Sequence, residues 1–134
     1  AAVIPLFLKA LLTNVSPYLN GDGEQTRDFT FVENAVQANV IGLFTDDSKA
    51  LNQAYNIACG ERVSLKQLVN ELKELTGADV WPKFRDPRAG DIQDSLASIN
   101  KAEKLLGYKP LYHMRDGLKL TLNWFLENKK NLGI

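Results

Sequence analysis

The sequence has few of the residues that build metal sites or nucleophilic catalysts. Its 134 residues include one cysteine, Cys59, and one histidine, His113. The two lie in distant segments, so they do not predict a zinc site or a Cys–His catalytic pair. One cysteine cannot form an intrachain disulfide, which favours a reducing compartment, and we expect a cytoplasmic protein. Cys59 is expected to be a small buried strand residue, and His113 to cap a helix or lie in solvent.

Net charge and long apolar runs are also lacking. Sixteen basic and sixteen acidic residues cancel, which argues against a broad surface for nucleic acid or anionic membrane. No run approaches the roughly 20 apolar residues of a membrane-spanning helix. The apolar start lacks a basic region and contains Lys9, so it is a poor signal peptide. We therefore expect no nucleic-acid and no membrane partner. Because the sequence does not begin with Met, we also expect a fragment or a processed product.

The amino-acid composition is typical of a single globular domain. The chain is 45% hydrophobic and 24% charged, so disorder is not expected. The patterns predict a mixed, helix-rich α/β fold with short strands and about five helices. Helices are expected over 4–13, over 32–44 with an apolar stripe, and over about 114–129, where the packing residues are Leu118, Leu122, Phe125 and Leu126.

Two further helices carry start and stop signals. Ser64 and Gln67 form a capping box, and Gly77 ends the helix that follows. One face of this helix is apolar, and it consists of Leu65, Leu68, Val69, Leu72 and Leu75. In the segment NKAEKLLGYKP, Asn100 is expected to cap a shorter helix that ends at Gly107.

The segment NGDGEQTRDFTFV raises the first question about function. Its glycine-rich turn predicts a β-hairpin over 17–31, and QAYNIAC, residues 53–59, predicts a short strand buried on both faces. In the strand alternation, Arg27 falls on the same face as Phe29 and Phe31, where burial is expected. The glycines of GDGEQT do not complete G-x-G-x-x-G and lie between two strands, so they do not predict a dinucleotide loop.

A second polar cluster, RDPRAGD, occupies residues 85–91. It is either a solvated charged loop or part of an anion site in which Arg27 and Arg88 converge. A guanidinium suits phosphate because its planar fork donates two parallel hydrogen bonds. The alternative for Arg27 is an ion pair with Asp22, Glu24 or Asp91. Spacing alone leaves these interpretations open.

Four segments together resemble a known family: NGDGEQTRDFTFV, AYNIACGERVSL, PRAGDIQDSLASINKAEKLLGYKP and GLKLTLNWF. They resemble the carboxy-terminal half of extended short-chain dehydrogenases/reductases of the NAD-dependent epimerase/dehydratase family. Within that family, their sequences are most similar to those of UDP-N-acetylglucosamine 4-epimerases. The resemblance runs nearly end to end. It implies that residues 1–134 form a substrate-binding carboxy-terminal domain, and that the glycine-rich Rossmann half is absent.

The resemblance also implies roles for individual residues. Val3 and the segment Tyr18, Leu19 and Asn20 would line the uridine of a UDP-sugar, with Leu65 near the nucleoside. Arg27 and Arg88 would bind the diphosphate, and Asp91 would accept from the ribose hydroxyls.

The chain departs from the family pattern in its catalytic groups. NAD would be bound by the missing amino-terminal half, and no tyrosine here is followed four residues later by the family's lysine. The intact enzyme would interconvert the C4 configuration of a UDP-hexose or UDP-N-acetylhexosamine through a 4-keto intermediate. This chain, which has no residues expected to act in catalysis or to bind the cofactor or a metal, is expected to be inactive alone.

We expect the parent to be a homodimer and the fragment to self-associate. The alternatives are a portion of a nucleotide-sugar dehydratase or decarboxylase, or a non-catalytic module that binds nucleotide sugar or protein.

Overall fold

The computed structural model describes residues 2–134. It contains six helices and four short strands in these residues. The helices are α1 (Val3–Leu12), α2 (Val32–Phe44), α3 (Leu65–Thr76), α4 (Asn100–Leu106), α5 (Met114–Glu127) and α6 (Lys129–Leu132). The strands are β1 (Tyr18–Asn20), β2 (Thr26–Arg27), β3 (Val63–Ser64) and β4 (Lys83–Arg85). The fold is thus the expected helix-rich α/β fold, with α6 as an additional turn of helix after α5.

The main core lies between α1, α3 and α5. Leu8, Leu68, Val69 and Leu72 are completely buried there, and Phe125 of α5 packs against them. The predicted apolar face of α3 is confirmed, and so are its ends. The Ser64 hydroxyl accepts from the Gln67 N–H, the Gln67 side chain accepts from the Ser64 N–H, and Gly77 takes a left-handed conformation. On α5 the prediction is wrong for Leu126, which is 43% exposed.

The predicted hairpin over 17–31 is wrong. Strand β1 pairs with β4 in parallel, with Asn20 opposite Arg85, whereas β2 pairs antiparallel with β3, with Arg27 opposite Val63. Each half of the expected hairpin thus belongs to a different two-stranded sheet. The turn at 21–23 reverses the chain, but distant partners take up the backbone hydrogen bonds. Residues 28–31 are not a strand, so the expected alternation ends at Arg27.

A smaller core joins α2 and α4, where Ala38, Ala58, Ala102 and Tyr108 are buried. The Tyr108 hydroxyl donates to the Ala58 carbonyl at 2.9 Å. The segment 53–59 contributes to this core without being a strand, so that prediction is wrong. A strand needs a neighbouring backbone to pair with, and this segment has no ladder partner among the residues described.

Helix α2 has the predicted bounds, and its apolar stripe is largely exposed. Leu43 and Phe44 are 76% and 79% exposed, and Val36 and Val40 are about half exposed. The side chain that α2 buries completely is polar: Asn34 donates to the Tyr112 carbonyl at 2.7 Å and accepts from the Leu111 N–H at 2.9 Å. Hydrogen bonds therefore attach α2 to the segment before α5.

At the starts of two helices, one local expectation is corrected and one is confirmed. Asn100 is the first residue of α4, not its cap, and no side chain caps that helix. His113 occupies the N-cap position of α5 but makes no cap hydrogen bond. Its side chain is exposed, as the second alternative predicts, and contacts Glu61 with 2.6 Å between Nδ1 and Oε1. None of the helices in the described part of the chain has the length and apolar character needed to cross a bilayer.

Candidate functional site

Most of the residues expected to bind a ligand line one cavity. It has a volume of about 610 Å³ and lies where α1, β1, β2 and the loop after β4 meet. Seven of the eight predicted residues line it: Val3, Tyr18, Asn20, Arg27, Leu65, Arg88 and Asp91. The exception is Leu19, which has no exposed surface and packs in the main core. Alternation along β1 turns Leu19 inward and its two neighbours toward the cavity.

Arg27 faces this cavity and is also part of an ion pair. Its Nη2 donates to Asp91 Oδ1 at 2.6 Å, and its Nη1 donates to the carbonyls of Thr26 and Ile92 at 2.7 and 2.6 Å. The Arg27 and Asp91 side chains are 28% and 29% exposed. The two interpretations of Arg27 are therefore compatible: the ion pair with Asp91 orients the guanidinium, and the guanidinium remains open to the cavity.

Arg88 lies on the loop after β4 and makes no ion pair with the acidic side chains that the structure describes. It lines both this cavity and a neighbouring one of about 750 Å³. A guanidinium that is exposed to a cavity and has no carboxylate partner keeps its donors for a ligand. Arg27 and Arg88 thus present positive charge to one space from elements about sixty residues apart in sequence.

Arg85 is a cavity residue to which the sequence analysis gave no role. Its Nε donates to Asn20 Oδ1 at 2.6 Å, and its guanidinium lies 5.6 Å from the Tyr18 ring centroid. It lines both cavities. The signal that could have identified Arg85 is the parallel pairing of β1 with β4, which brings Arg85 beside Asn20. Sequence patterns do not reveal that pairing between short strands far apart in the chain.

Asp28 also lines the cavity, and its carboxylate binds the chain segment that contains Cys59. The Asp28 carboxylate accepts from the N–H groups of Cys59 and Gly60, both at 3.0 Å. Cys59 is a buried free thiol, as expected, although it does not lie in a strand. Burial raises the pKa of Cys59, and the charges of Asp28 and Glu61 add to this increase. The thiol is therefore held in its neutral form and is a poor nucleophile.

The described residues contain neither a glycine-rich pyrophosphate cradle nor a cluster of metal-ligating side chains. A pyrophosphate cradle needs a glycine-rich turn between a strand and the N-terminus of a helix. The glycine turn at 21–23 instead joins β1 to β2, and β3 passes into α3 with no glycine between them. Within residues 2–134, no three metal-ligating side chains lie together.

Comparisons with known proteins identify the family to which this fold belongs. The model of the NAD dependent epimerase/dehydratase family matches residues 1–58. Over 130 residues, 97% of the chain, the sequence is 34% identical to a putative UDP-glucose 4-epimerase of Methanocaldococcus jannaschii and covers 41% of it. The chain therefore belongs to the NAD dependent epimerase/dehydratase family.

Two solved structures are similar to this one throughout. A UDP-glucose 4-epimerase from Thermotoga maritima, solved with UDP-glucose, has a TM-score of 0.89 and 34% identity over 96% of this chain and 40% of its own. A UDP-N-acetylglucosamine 4-epimerase from Methanobrevibacter ruminantium, in complex with UDP-N-acetylmuramic acid, has a TM-score of 0.87 and 34% identity, with the same coverage of 96% and 40%. The chain thus spans about two fifths of the length of these relatives.

Proposed function

We propose that residues 1–134 are the UDP-sugar-binding portion of an NAD-dependent nucleotide-sugar epimerase. The intact parent would interconvert the C4 configuration of a UDP-hexose or UDP-N-acetylhexosamine. The observation that carries the proposal is that Arg27 and Arg88 line one cavity together with the polar residues Asn20 and Asp91. Paired guanidinium groups suit the phosphates of a nucleoside diphosphate, because each can donate two parallel hydrogen bonds to phosphate oxygens.

In this proposal the chain binds and orients the nucleotide but does not carry out the reaction. Arg27 and Arg88 hold the diphosphate, Val3 and Tyr18 supply apolar surface for the base, and Asp91 accepts from the ribose. NAD supplies hydride chemistry in this class of enzyme. Since the described residues offer no cradle for NAD, it would be bound by the remaining part of the parent. A homodimeric parent and a cytoplasmic location remain predictions.

Titration of the chain with UDP-glucose at low salt tests the proposal. A charge-assisted hydrogen bond contributes about 1.5–3 kcal/mol, so Arg88→Ala should weaken binding by roughly 10- to 100-fold. Arg27→Ala should have a similar effect, and Arg27→Lys should recover little because an ammonium group cannot donate two parallel hydrogen bonds. The losses should not add in the double variant, since both side chains contact one ligand group. Asp91→Asn should weaken binding less.

Arg62→Ala is the matched control, because Arg62 is exposed, pairs only loosely with Asp94 at 3.9 Å and does not line the cavity. Its binding should equal that of the unmodified chain. If Arg27→Ala leaves the affinity unchanged and lowers only the melting temperature, Arg27 is a structural ion-pair partner. If the unmodified chain does not bind UDP-glucose, the proposed function is wrong.

A further inference from the structure

Gln25, which precedes β2, is a buried polar side chain beside the proposed site. Only 5% of its surface is exposed. Its Nε2 donates to the Asn20 carbonyl at 2.9 Å and to Asp91 Oδ2 at 3.3 Å. An amide nitrogen has two hydrogens, and both are used here. The reverse orientation would bring the amide oxygen against two acceptors, so these contacts fix which way the amide points.

The two carboxylate oxygens of Asp91 are held from different directions. Oδ1 accepts from Arg27 at 2.6 Å, and Oδ2 accepts from Gln25. The surrounding loop is attached to the same segment by two backbone carbonyls: Gln93 accepts from the Thr26 N–H at 2.8 Å, and Ile92 accepts from Arg27. Residues 83–94 are exposed throughout. Hydrogen bonds to residues 25–27, not apolar burial, therefore hold this part of the loop.

From this arrangement we propose that Gln25 is a positioning residue for nucleotide binding. Its amide fixes the rotation of the Asp91 carboxylate, and Asp91 in turn holds the Arg27 guanidinium toward the cavity. The inference rests on the proposed function, because it assigns a role within the same site. Without the amide donor, Asp91 has a free oxygen and can rotate away from Arg27. The guanidinium would then lose the partner that orients it.

Gln25→Glu tests this role, because it keeps the size of the side chain and replaces the N–H donor with a carboxylate facing Asp91. At about pH 7.5 the two carboxylates repel, and UDP-glucose should bind at least about 10-fold more weakly than to the unmodified chain. Toward about pH 5 a proton shared by the pair restores a donor, so affinity should recover. UDP-glucose is a suitable probe because its diphosphate diester does not change charge in this range.

The other charged groups around Asp91 set the background of this titration. Arg27 faces Asp91 from β2, Arg88 lies on the same loop, Arg85 approaches from β4, and Lys66 of α3 lines the adjoining cavity. The carboxylates of Asp22 and Asp86 line the adjoining cavity, and that of Asp28 lines this one. All of these groups are common to the unmodified chain and Gln25→Glu, so the pH response of the unmodified chain is the baseline against which the recovery is measured.

Gln93→Glu is the matched control, because it adds a carboxylate to the same loop at an exposed position that lines the adjoining cavity. It should not acquire the pH-dependent recovery. If the unmodified chain binds UDP-glucose and Gln25→Glu binds equally well, or equally poorly at both pH values, the positioning role is wrong while the proposed function stands. If the unmodified chain does not bind, both are wrong.

A second measurement needs no ligand and no change at Gln25. In the NMR spectrum of the chain, Asp91→Asn should move the side-chain amide resonances of Gln25, because the charged acceptor at 3.3 Å is lost. Asp86→Asn, on the same loop, should leave them in place. Unmoved Gln25 resonances in Asp91→Asn would overturn the inference.

Discussion

Helices α3 and α2 carry apolar stripes of similar length, yet only the stripe of α3 is buried. Leu68, Val69 and Leu72 of α3 have no exposed surface, whereas Leu43 and Phe44 of α2 are more than three quarters exposed. Helix α3 lies between α1 and α5, which supply matching apolar faces. Helix α2 meets α4 along one side only, in the smaller core. An amphipathic pattern thus indicates which face favours burial, and the presence of a partner decides whether burial occurs.

The same substitution in the two helices should give the largest contrast in stability. Leu68→Ala should lower the free energy of unfolding by about 2–5 kcal/mol, because it leaves a cavity in a close-packed core. Leu43→Ala should change it by no more than about 0.5 kcal/mol, because the side chain is mostly in solvent. Urea denaturation followed by circular dichroism measures both values. A similar loss in the two variants would mean that the stripe of α2 is covered in solution.

Asn34 provides the second contrast between the two helices. Hydrogen bonds of Asn34 attach α2 to the rest of the fold, whereas apolar packing attaches α3. Asn34→Leu should cost about 1–3 kcal/mol, since the N–H of Leu111 and the carbonyl of Tyr112 lose their partner in a buried place. Asn39→Leu is the control: Asn39 is exposed on the same helix and donates only to Ala35 one turn earlier. Thermal unfolding of the two variants makes the comparison. If they melt together, the Asn34 contacts are not what attaches α2.

How far the sequence predicts the fold depends on whether the signal is local. The bounds of α2 and the capping box and glycine stop of α3 follow from residues within one or two turns, and all are confirmed. The pairing of β1 with β4 could not be predicted, because strands of two or three residues carry too little pattern to identify a partner about sixty residues away. The same limit explains the wrong hairpin, since a turn signal shows that the chain reverses but not which backbones pair.

The candidate site could be predicted residue by residue only through the family resemblance. Composition and spacing alone do not decide whether Arg27 forms an ion pair or binds an anion. In the structure, Arg27 forms an ion pair with Asp91 at the edge of a cavity. The resemblance assigns Leu19 to the uridine together with Tyr18 and Asn20, yet alternation along β1 buries the Leu19 side chain. Gln25 and Arg85 were given no role because their contacts depend on the loop after β4.

A smaller effect is expected from the exposed stripe of α2. An apolar patch of this kind favours association, so the unmodified chain should show scattering that rises with concentration and should bind an apolar dye. The double variant Leu43→Lys with Phe44→Lys should reduce both signals and leave the helix content unchanged. Lys104→Ala, at an exposed position on α4, controls for a change in surface charge. A monomer that binds no dye at any concentration would contradict this prediction.

The smallest effect should be an alkaline loss of stability in the smaller core. Burial raises the pKa of Cys59 above its ordinary value of 9.0 and that of Tyr108 above 10.0, with Asp28 adding to both. The folded state therefore holds both protons more tightly than the unfolded state does. The resulting stabilisation is complete below about pH 9 and is lost as the pH rises through the higher folded values. Urea midpoints should fall as the pH rises from about 9 to about 11, and less steeply in Cys59→Ser, which removes the titrating thiol. Tyr18→Phe, at an exposed tyrosine, should keep the full pH dependence. An identical decline in all three proteins would mean that the buried thiol does not contribute to it.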